Sequence, residues 1–410
     1  MRRTMHCAAA RRLPVSAPTE KPPRGEIMTR FVVACAALAL FASLPSPAPA
    51  QQTVKLIDIA ELSGAGTTSG TNWKNGIDLA VKEINASGGI LGRQISISHY
   101  DSQSQPPIAK AMVTKAVDEE PYVLLGPVFS GSIAVSAVVA EQAQIPQIMG
   151  GEAANLTQQG DDYLFRTSFS QTSAVPKVAA YMADQLKVKS VAIVWINNDF
   201  GKGGHDEMVK ALAARNIKLA ADISTEQGQV DYSSVVVKAK SADADALFAY
   251  LNEDESARLL RELKKQAYDK PIVGETTLMG QKVIELAGDA ADGVHGHVGL
   301  TIDAPVPGIQ AFSKKYQEAY GAKCDHNGIK GYFGVYLVKA VTEKIGKFDR
   351  VLFAKTLHGL SLSAKEYPGL LMDVSFDEHG DLDRESFLVE VKHGQQIVTQ
   401  ILPPLHAKPQ

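Results

Sequence analysis

Two short polar segments, far apart in the chain, each close a run of apolar residues that reads as a strand. The first, 126–132, runs Gly-Pro-Val-Phe-Ser-Gly-Ser; the second, 271–277, runs Pro-Ile-Val-Gly-Glu-Thr-Thr. In open parallel α/β sheets, small ligands bind outside the carboxyl ends of the strands. The first segment brings the Ser130 hydroxyl and free backbone N–H groups at a helix start, which suit an anion. The second brings the Glu275 carboxylate, which suits a cation. A solute carrying both charges, such as an amino acid, fits between them.

The rest of the chain must position these segments. From 54 to 60, apolar residues fall on both strand faces, as in a sheet covered on both sides. Ile77, Ala80, Val81 and Ile84 then form a helical stripe, closed by Gly88 and Gly89. The alternation continues with strands at 93–100, 122–125, 146–149, 190–196, 217–224, 246–251 and 271–274. Helices fall between them at 107–118, 132–142, 173–186, 202–214, 230–241, 253–268 and 281–287. That spacing gives parallel sheets with right-handed crossovers, and too many strands for one sheet. Toward the end, 309–320 and 328–344 read as helices. Strands at 371–376 and 387–391 flank a polar turn at 377–381, which reads as a hairpin.

Size and charge narrow the classes. With 410 residues there is room for two α/β domains. Composition is ordinary for a globular protein, at 45% hydrophobic and 21% charged. No internal stretch is apolar for long enough to span a bilayer. Near the N-terminus, Met28, Thr29 and Arg30 precede a short apolar run at 31–44, and Ala48-Pro49-Ala50 gives an A-x-A cleavage pattern. This is the order of a secretory signal peptide, with translation expected to start at Met28. Removing residues 1–50 takes seven of the 42 Lys/Arg and two of the 45 Asp/Glu, leaving a net charge of −8. Nucleic acid, which demands a basic face, is excluded. One cysteine, Cys324, is left, so no internal disulfide can form. Its polar neighbours Lys323 and Asp325 read as a surface loop.

Other chemistries find no complete set of residues. His295 and His297 put two imidazoles on one strand face, but no third ligand is evident. Asp377, Asp381 and Asp383 lack the order of a calcium loop. No nucleophile elbow, P-loop or G-x-G-x-x-G after the first strand occurs. Neither metal nor cofactor is expected, and an enzyme, for example a secreted hydrolase, is the weakest class.

The stretch from Thr71 to Arg93, Thr-Asn-Trp-Lys-Asn-Gly-Ile-Asp-Leu-Ala-Val-Lys-Glu-Ile-Asn-Ala-Ser-Gly-Gly-Ile-Leu-Gly-Arg, resembles the first helix and glycine turn of type I periplasmic binding proteins. More narrowly it is similar to the leucine/isoleucine/valine branch that serves ABC transporters. Asp101-Ser102, Leu125-Gly126-Pro127 with Ser130, Asn155-Leu156-Thr157, 163–166, 198–203 and 376–381 agree in order and spacing. The resemblance implies an α/β fold of two Rossmann-like lobes joined by three crossing strands. Lobe 1 would be 53–168 plus 300–369, and lobe 2 would be 169–299 plus 370–405. The crossings would fall near Thr167, Val298 and Leu371, with a hinge closing the lobes on a solute.

The resemblance also implies site residues. Ser130 matches the serine that binds a ligand carboxylate, although Ser there also serves as a plain helix N-cap. Gly150, Gly151 and Glu152 stand where amino-acid binders carry Ala-x-Thr or Ala-x-Ser. Glu152 therefore replaces a hydroxyl, and it repels a carboxylate unless protonated, paired or turned away. Glu275 matches the glutamate that receives the ammonium. Phe200 stands where many members carry Tyr, and Asn252 and Ser69 where other tyrosines occur, which implies a roomier or more polar pocket. Trp73 is open to two placements, the cleft mouth or helix packing. The implied function is the secreted, periplasmic, monomeric solute-binding component of an ABC transporter, delivering an amino acid or related amine- or amide-bearing solute to the permease. The alternatives are a receptor for aromatic or keto carboxylates and a sensor that presents its ligand to a membrane receptor.

Overall fold

The computed structural model describes residues 52–405. The expected signal segment and the start at Met28 lie outside them. A first sheet is built from β1 (Thr53–Ala60), followed by α1 (Thr67–Ala86), β2 (Gln94–Asp101), α2 (Pro106–Asp118), β3 (Val123–Leu125), α3 (Ser130–Gln142), β4 (Gln147–Met149) and β5 (Leu164–Arg166). Its order is β2-β1-β3-β4-β5, all parallel. Both faces are covered, which explains the apolar character of β1 on each side. Val54 and Leu56 join a core with Trp73 and Ile77 of α1. Ile57 and Ile59 join the opposite core with Val113 of α2 and Ala140 of α3.

The chain then runs through α4 (Gln171–Asp184), β6 (Ser190–Ile196), α5 (Asp199–Ala214), β7 (Lys218–Thr225), α6 (Ser233–Ser241), β8 (Ala246–Tyr250), α7 (Glu253–Lys265), β9 (Ile272–Gly274), α8 (Gln281–Ala287) and β10 (His295–Val298). Next come α9 (Pro307–Tyr320), α10 (His326–Ile345), α11 (Arg350–Leu357), β11 (Ser361–Leu362), β12 (Val374–Phe376), β13 (Leu382–Asp383), β14 (Ser386–Lys392) and β15 (Gln395–Leu402). The second sheet has the order β15-β14-β10-β9-β8-β6-β7, and only the β10–β14 and β14–β15 pairings are antiparallel. Its alternating residues again serve two cores: Val191, Ile193 and Phe248 on one face, Ala192, Val194 and Leu247 on the other.

Three findings differ from the sequence reading. The polar turn at 377–381 does not join the two strands expected on either side of it. It folds β12 back on β13, and β11 completes a three-stranded sheet, so the chain enters the second sheet only at β14, past the crossing expected near Leu371. Cys324 is fully buried, with its Sγ 3.1 Å from the Asp325 carbonyl, and is not a surface thiol. Trp73 is also fully buried and donates its Nε1–H to Asp58 Oδ1 at 2.8 Å, so it packs α1 onto β1.

The close approach of α1 to α10 depends on small residues. A Cβ on Gly76 would lie 2.0 Å from the Gly328 carbonyl oxygen, and one on Gly331 would lie 2.2 Å from that of Trp73. This contact sets the register of α10, and with it the placement of Lys330. On the other side of α1, His99 ties three elements together. Its Nδ1 lies 2.7 Å from Asp58 Oδ2 and its Nε2 lies 2.8 Å from Asp78 Oδ1. Burial pulls the imidazolium down, but the two carboxylates more than offset this and raise its pKa to about 9. A group whose folded pKa is raised contributes stability below its unfolded value near 6.5, and that stability is lost as pH rises through about 9. His99→Gln should therefore cost about 1–3 kcal/mol in denaturant unfolding at pH 6, with the difference from wild type shrinking toward pH 10. A pH-independent difference would contradict this assignment.

Candidate functional site

A cavity of ≈ 200 Å³ opens where the carboxyl ends of β3 and β4 from one sheet face those of β6, β8 and β9 from the other. Five helices have their first residue on its wall: α2 at Pro106, α3 at Ser130, α5 at Asp199, α7 at Glu253 and α10 at His326. Each helix start carries a partial positive charge and unpaired N–H groups. Local acids divide them. The first turn of α7 holds Glu253, Asp254 and Glu255, and that of α5 holds Asp199. The α10 start is capped by Asp325, which accepts from the N–H groups of Asn327 and Gly328 at 2.8 and 3.1 Å. The first turn of α3 has no acidic residue. The first turn of α2 has none either, but it opens with Pro106 and Pro107, which carry no N–H; α3 is the helix start whose free N–H groups are left open to an anion from outside.

The loop leading into α3 is fixed from behind. Buried Glu61, just past β1, accepts from Val128 N and Phe129 N, both at 3.1 Å. Phe129, not Ser130, precedes the first helical residue, so Ser130 is not a plain N-cap. Its Oγ accepts from Ala153 N at 3.2 Å, which leaves the hydroxyl hydrogen free to donate. Ser132, also on the wall and 1% exposed, has a hydroxyl with no hydrogen-bond partner.

Gly150, Gly151 and Glu152 follow β4, in a loop held by a buried guanidinium. Arg166 Nη1 donates to Gly151 O at 2.8 Å, and Nη2 donates to Ala153 O at 2.7 Å and to Thr157 Oγ1 at 3.1 Å. Its Nε pairs with Asp381. Ser168 Oγ adds 3.1 Å to Gly151 O, and Gln171 N donates to Glu152 O at 3.0 Å. Gly150 and Glu152 line the cavity, whereas Gly151 lies behind it. Glu152 is neither turned to solvent nor left alone: Lys330 of α10 donates to its Oε1 at 2.7 Å and reaches Gly150 O at 3.4 Å. Both side chains are under 10% exposed. Burial pushes the Glu152 carboxyl up, and Lys330 opposes that shift.

The opposite wall carries acids and amides. Glu253 accepts from Asn327 Nδ2 at 2.9 Å and faces the Ser69 hydroxyl. Burial raises its pKa. Asn252 Nδ2 and Asn327 Oδ1 are buried on this wall without partners. His326 Nδ1 is also unpartnered, and burial holds that imidazole well below its usual value, so it is neutral. Thr68 Oγ1 lies 3.3 Å from Asp254 Oδ1, so α1 and α7 already meet across the site. Phe200 stacks on Tyr250 with ring centroids 4.4 Å apart, and Gln171 Nε2 donates to both the Phe200 carbonyl, at 2.7 Å, and the Tyr250 hydroxyl, at 3.0 Å. Apolar Val128 and Phe129 complete the wall near α3.

Of the residues singled out in the sequence, Ser69, Ser130, Gly150, Glu152, Phe200 and Asn252 are brought together on one cavity. Glu275 is not among the lining residues. It is 2% exposed in a layer behind the wall, accepting from Thr276 Oγ1 at 2.5 Å, with His297 Nδ1 3.1 Å away. Burial raises its pKa to about 7. Thr277 from the same loop does reach the cavity. Sequence reasoning missed Lys330 and Glu253. Lys330 sits in an otherwise uncharged, apolar and glycine-rich stretch, 328–338, where a lone charge in a buried run was the available signal. Glu253 looked like ordinary helix-start acidity. Among the described residues, no group of three or more His, Cys, Asp or Glu is arranged to hold a metal ion.

The model of one family, described as periplasmic binding protein, matches residues 54–396. The chain is 29% identical to the Leu/Ile/Val-binding protein BraC3 of Rhizobium johnstonii over 352 residues, covering 85% of this chain and 94% of that one. It is 25% identical to the leucine-, isoleucine-, valine-, threonine-, and alanine-binding protein of Pseudomonas aeruginosa, covering 89% and 96%. Among solved structures it superposes on the LivJ substrate-binding protein of Streptococcus pneumoniae in complex with isoleucine, with TM-score 0.77, 24% identity and coverage of 86% and 100%. It also superposes on an R. palustris solute-binding protein in complex with benzoate, with TM-score 0.79, 22% identity and coverage of 87% and 98%. A two-sheet α/β frame, a cavity at facing strand ends and a family match over most of the chain lead to one conclusion: this chain belongs to the periplasmic binding proteins, the solute-binding components of ABC transporters, and is not an enzyme.

Proposed function

We propose that this protein captures an amino acid, or a related small solute bearing an amine or amide, and delivers it to an ABC permease. The observation that carries this reading is the polarity of the cavity. An anion-accepting helix start at Ser130 faces a buried acidic end made by Glu253, Asn252 and Asn327. A zwitterion placed with its carboxylate at α3 and its ammonium at Glu253 satisfies both ends. The names of the curated relatives, which bind leucine, isoleucine and valine, support the amino-acid class. Ser69, Gly150, Glu152 and Phe200 shape the remaining wall. Gly151 holds the loop in place, and Glu275 adds negative potential from behind.

In this reading the two lobes, 53–168 with 300–369 and 169–299 with 370–405, close about the crossing segments. The contacts Thr68–Asp254 and Glu253–Asn327, which bridge the site, support reading the present geometry as the closed form. Secretion through the signal segment ending at Ala50 brings a monomeric receptor to the periplasm, where it meets the permease subunits.

Calorimetric titration of the mature protein with a panel of amino acids, their amides and plain carboxylates tests this. At least one amine-bearing solute should bind, and binding of plain aromatic or aliphatic acids alone would sink the amine reading in favour of a carboxylate receptor. Glu253→Gln should weaken the amine ligand by roughly 10–100-fold, the worth of a charge-assisted hydrogen bond of about 1.5–3 kcal/mol. Glu275→Gln should change affinity by no more than about 3-fold, because the carboxyl lies behind the wall and not on it. The same variant has a stability signature. A carboxyl with a folded pKa near 7 favours the fold below its unfolded value near 4.5 and loses that advantage as pH rises through about 7. Glu275→Gln should thus be more stable than wild type at pH 8.5 and gain nothing at pH 4. A loss of affinity as large as that of Glu253→Gln would return Glu275 to direct contact.

A further inference from the structure

Glu152 poses a problem for any carboxylate-bearing solute. It stands on the same wall as Ser130, and the Cβ position of Gly151 lies 3.4 Å from Ser130 Oγ. An unpaired carboxylate there would repel the ligand's own. Lys330 removes the conflict. Its ammonium has three hydrogens; one goes to Glu152 at 2.7 Å, a second reaches Gly150 O at 3.4 Å, and Lys330 itself lines the cavity. Among the described residues it is the only lysine or arginine on the cavity wall, and the one imidazole there is neutral.

We infer that Lys330 is the cationic anchor of the solute's carboxylate, and that Glu152 serves as its fixed counter-ion. The inference rests on the reading above that the solute's anionic end lies at the start of α3. Three further features support it. A buried ion pair contributes little net stability, because desolvation offsets the attraction, so stability alone does not account for an ammonium placed on the wall. The loop that bears Glu152 is fixed through Arg166 and Gln171, so Glu152 holds Lys330 in one place. The unpartnered Ser132 hydroxyl and the free Ser130 proton share that wall, giving the carboxylate two hydroxyl donors beside one ammonium. Such a site demands a full carboxylate. It discriminates against an amide, which brings no charge to match the ammonium.

The test compares acids with their α-carboxamides, using L-amino acids, the corresponding deaminated acids and the amides of both as probes. Wild type should prefer acid over amide by at least about 10-fold. Lys330→Met should lose at least about 10-fold for every acid that binds, and its acid-over-amide ratio should fall to about 1. Glu152→Gln should keep the preference for acids with a smaller loss. Glu152→Gln/Lys330→Gln, which leaves no unpaired charge, should melt near wild type yet show the Lys330→Met binding pattern, which separates recognition from folding. The inference is overturned by retention of the acid preference in both Lys330 variants, by equal wild-type affinity for acids and amides, or by the absence of any carboxylate-bearing ligand. Binding by deaminated acids alone would end the amine reading while leaving the role of Lys330 to be decided by the same variants.

Discussion

A fully buried guanidinium has no water to solvate it and must find oxygen atoms within reach, and in this protein those atoms organise the binding site. Arg166 ends β5, and its donors are taken by the carbonyls of Gly151 and Ala153, the Thr157 hydroxyl and Asp381. That arrangement locks the loop after β4. Ala153 N then engages Ser130 Oγ, which fixes the start of α3, and Glu152 is held facing Lys330. The wall that carries Ser130, Gly150 and Glu152 is preorganised because it is tied to this desolvated charge. Side chains held by several bonds lose little further freedom when a solute arrives.

The two ends of the cavity follow from where acids sit relative to helix starts. Five helix starts meet there. Three carry local acids, Asp199, Glu253 with its neighbours, and Asp325; α2 opens with two prolines that lack N–H groups, and α3 has neither feature. On the acidic wall Asn327 gives the buried Glu253 carboxyl one hydrogen bond, while Asn327 Oδ1 and Asn252 Nδ2 stay unpartnered. In the proposed binding mode an ammonium supplies donors to Glu253 and to Asn327 Oδ1. The unsatisfied groups on this wall are costly in an empty site, and the same cost gives the site its selectivity when a matching solute fills it.

Much of this was legible in the sequence. Two-sided apolar runs such as 54–60 and 190–196 gave parallel, helix-covered strands, and the strand–helix alternation required two sheets. The strand-end segments at 126–132 and 271–277 pointed to where binding chemistry gathers. The failures share one cause: tertiary partners that local pattern does not encode. The direction taken by the 377–381 turn depends on β11, which pairs β12 from the far side. Cys324 sits beside charged residues in sequence yet is enclosed in three dimensions. Glu275 occupies the expected strand end, but the neighbouring Thr276 and His297 enclose it. Lys330 became visible only when the glycine contacts of α1 and α10 placed its helix against the β4 loop.

The central claim is the orientation of the solute between two unlike ends. A crystal structure of the mature protein with a bound amino acid tests it most directly. The account predicts the carboxylate within hydrogen-bond distance of Ser130 Oγ, an α3 backbone N–H and Lys330 Nζ, with the ammonium against Glu253. A solute lying in the opposite sense, or held outside this cavity, would contradict it.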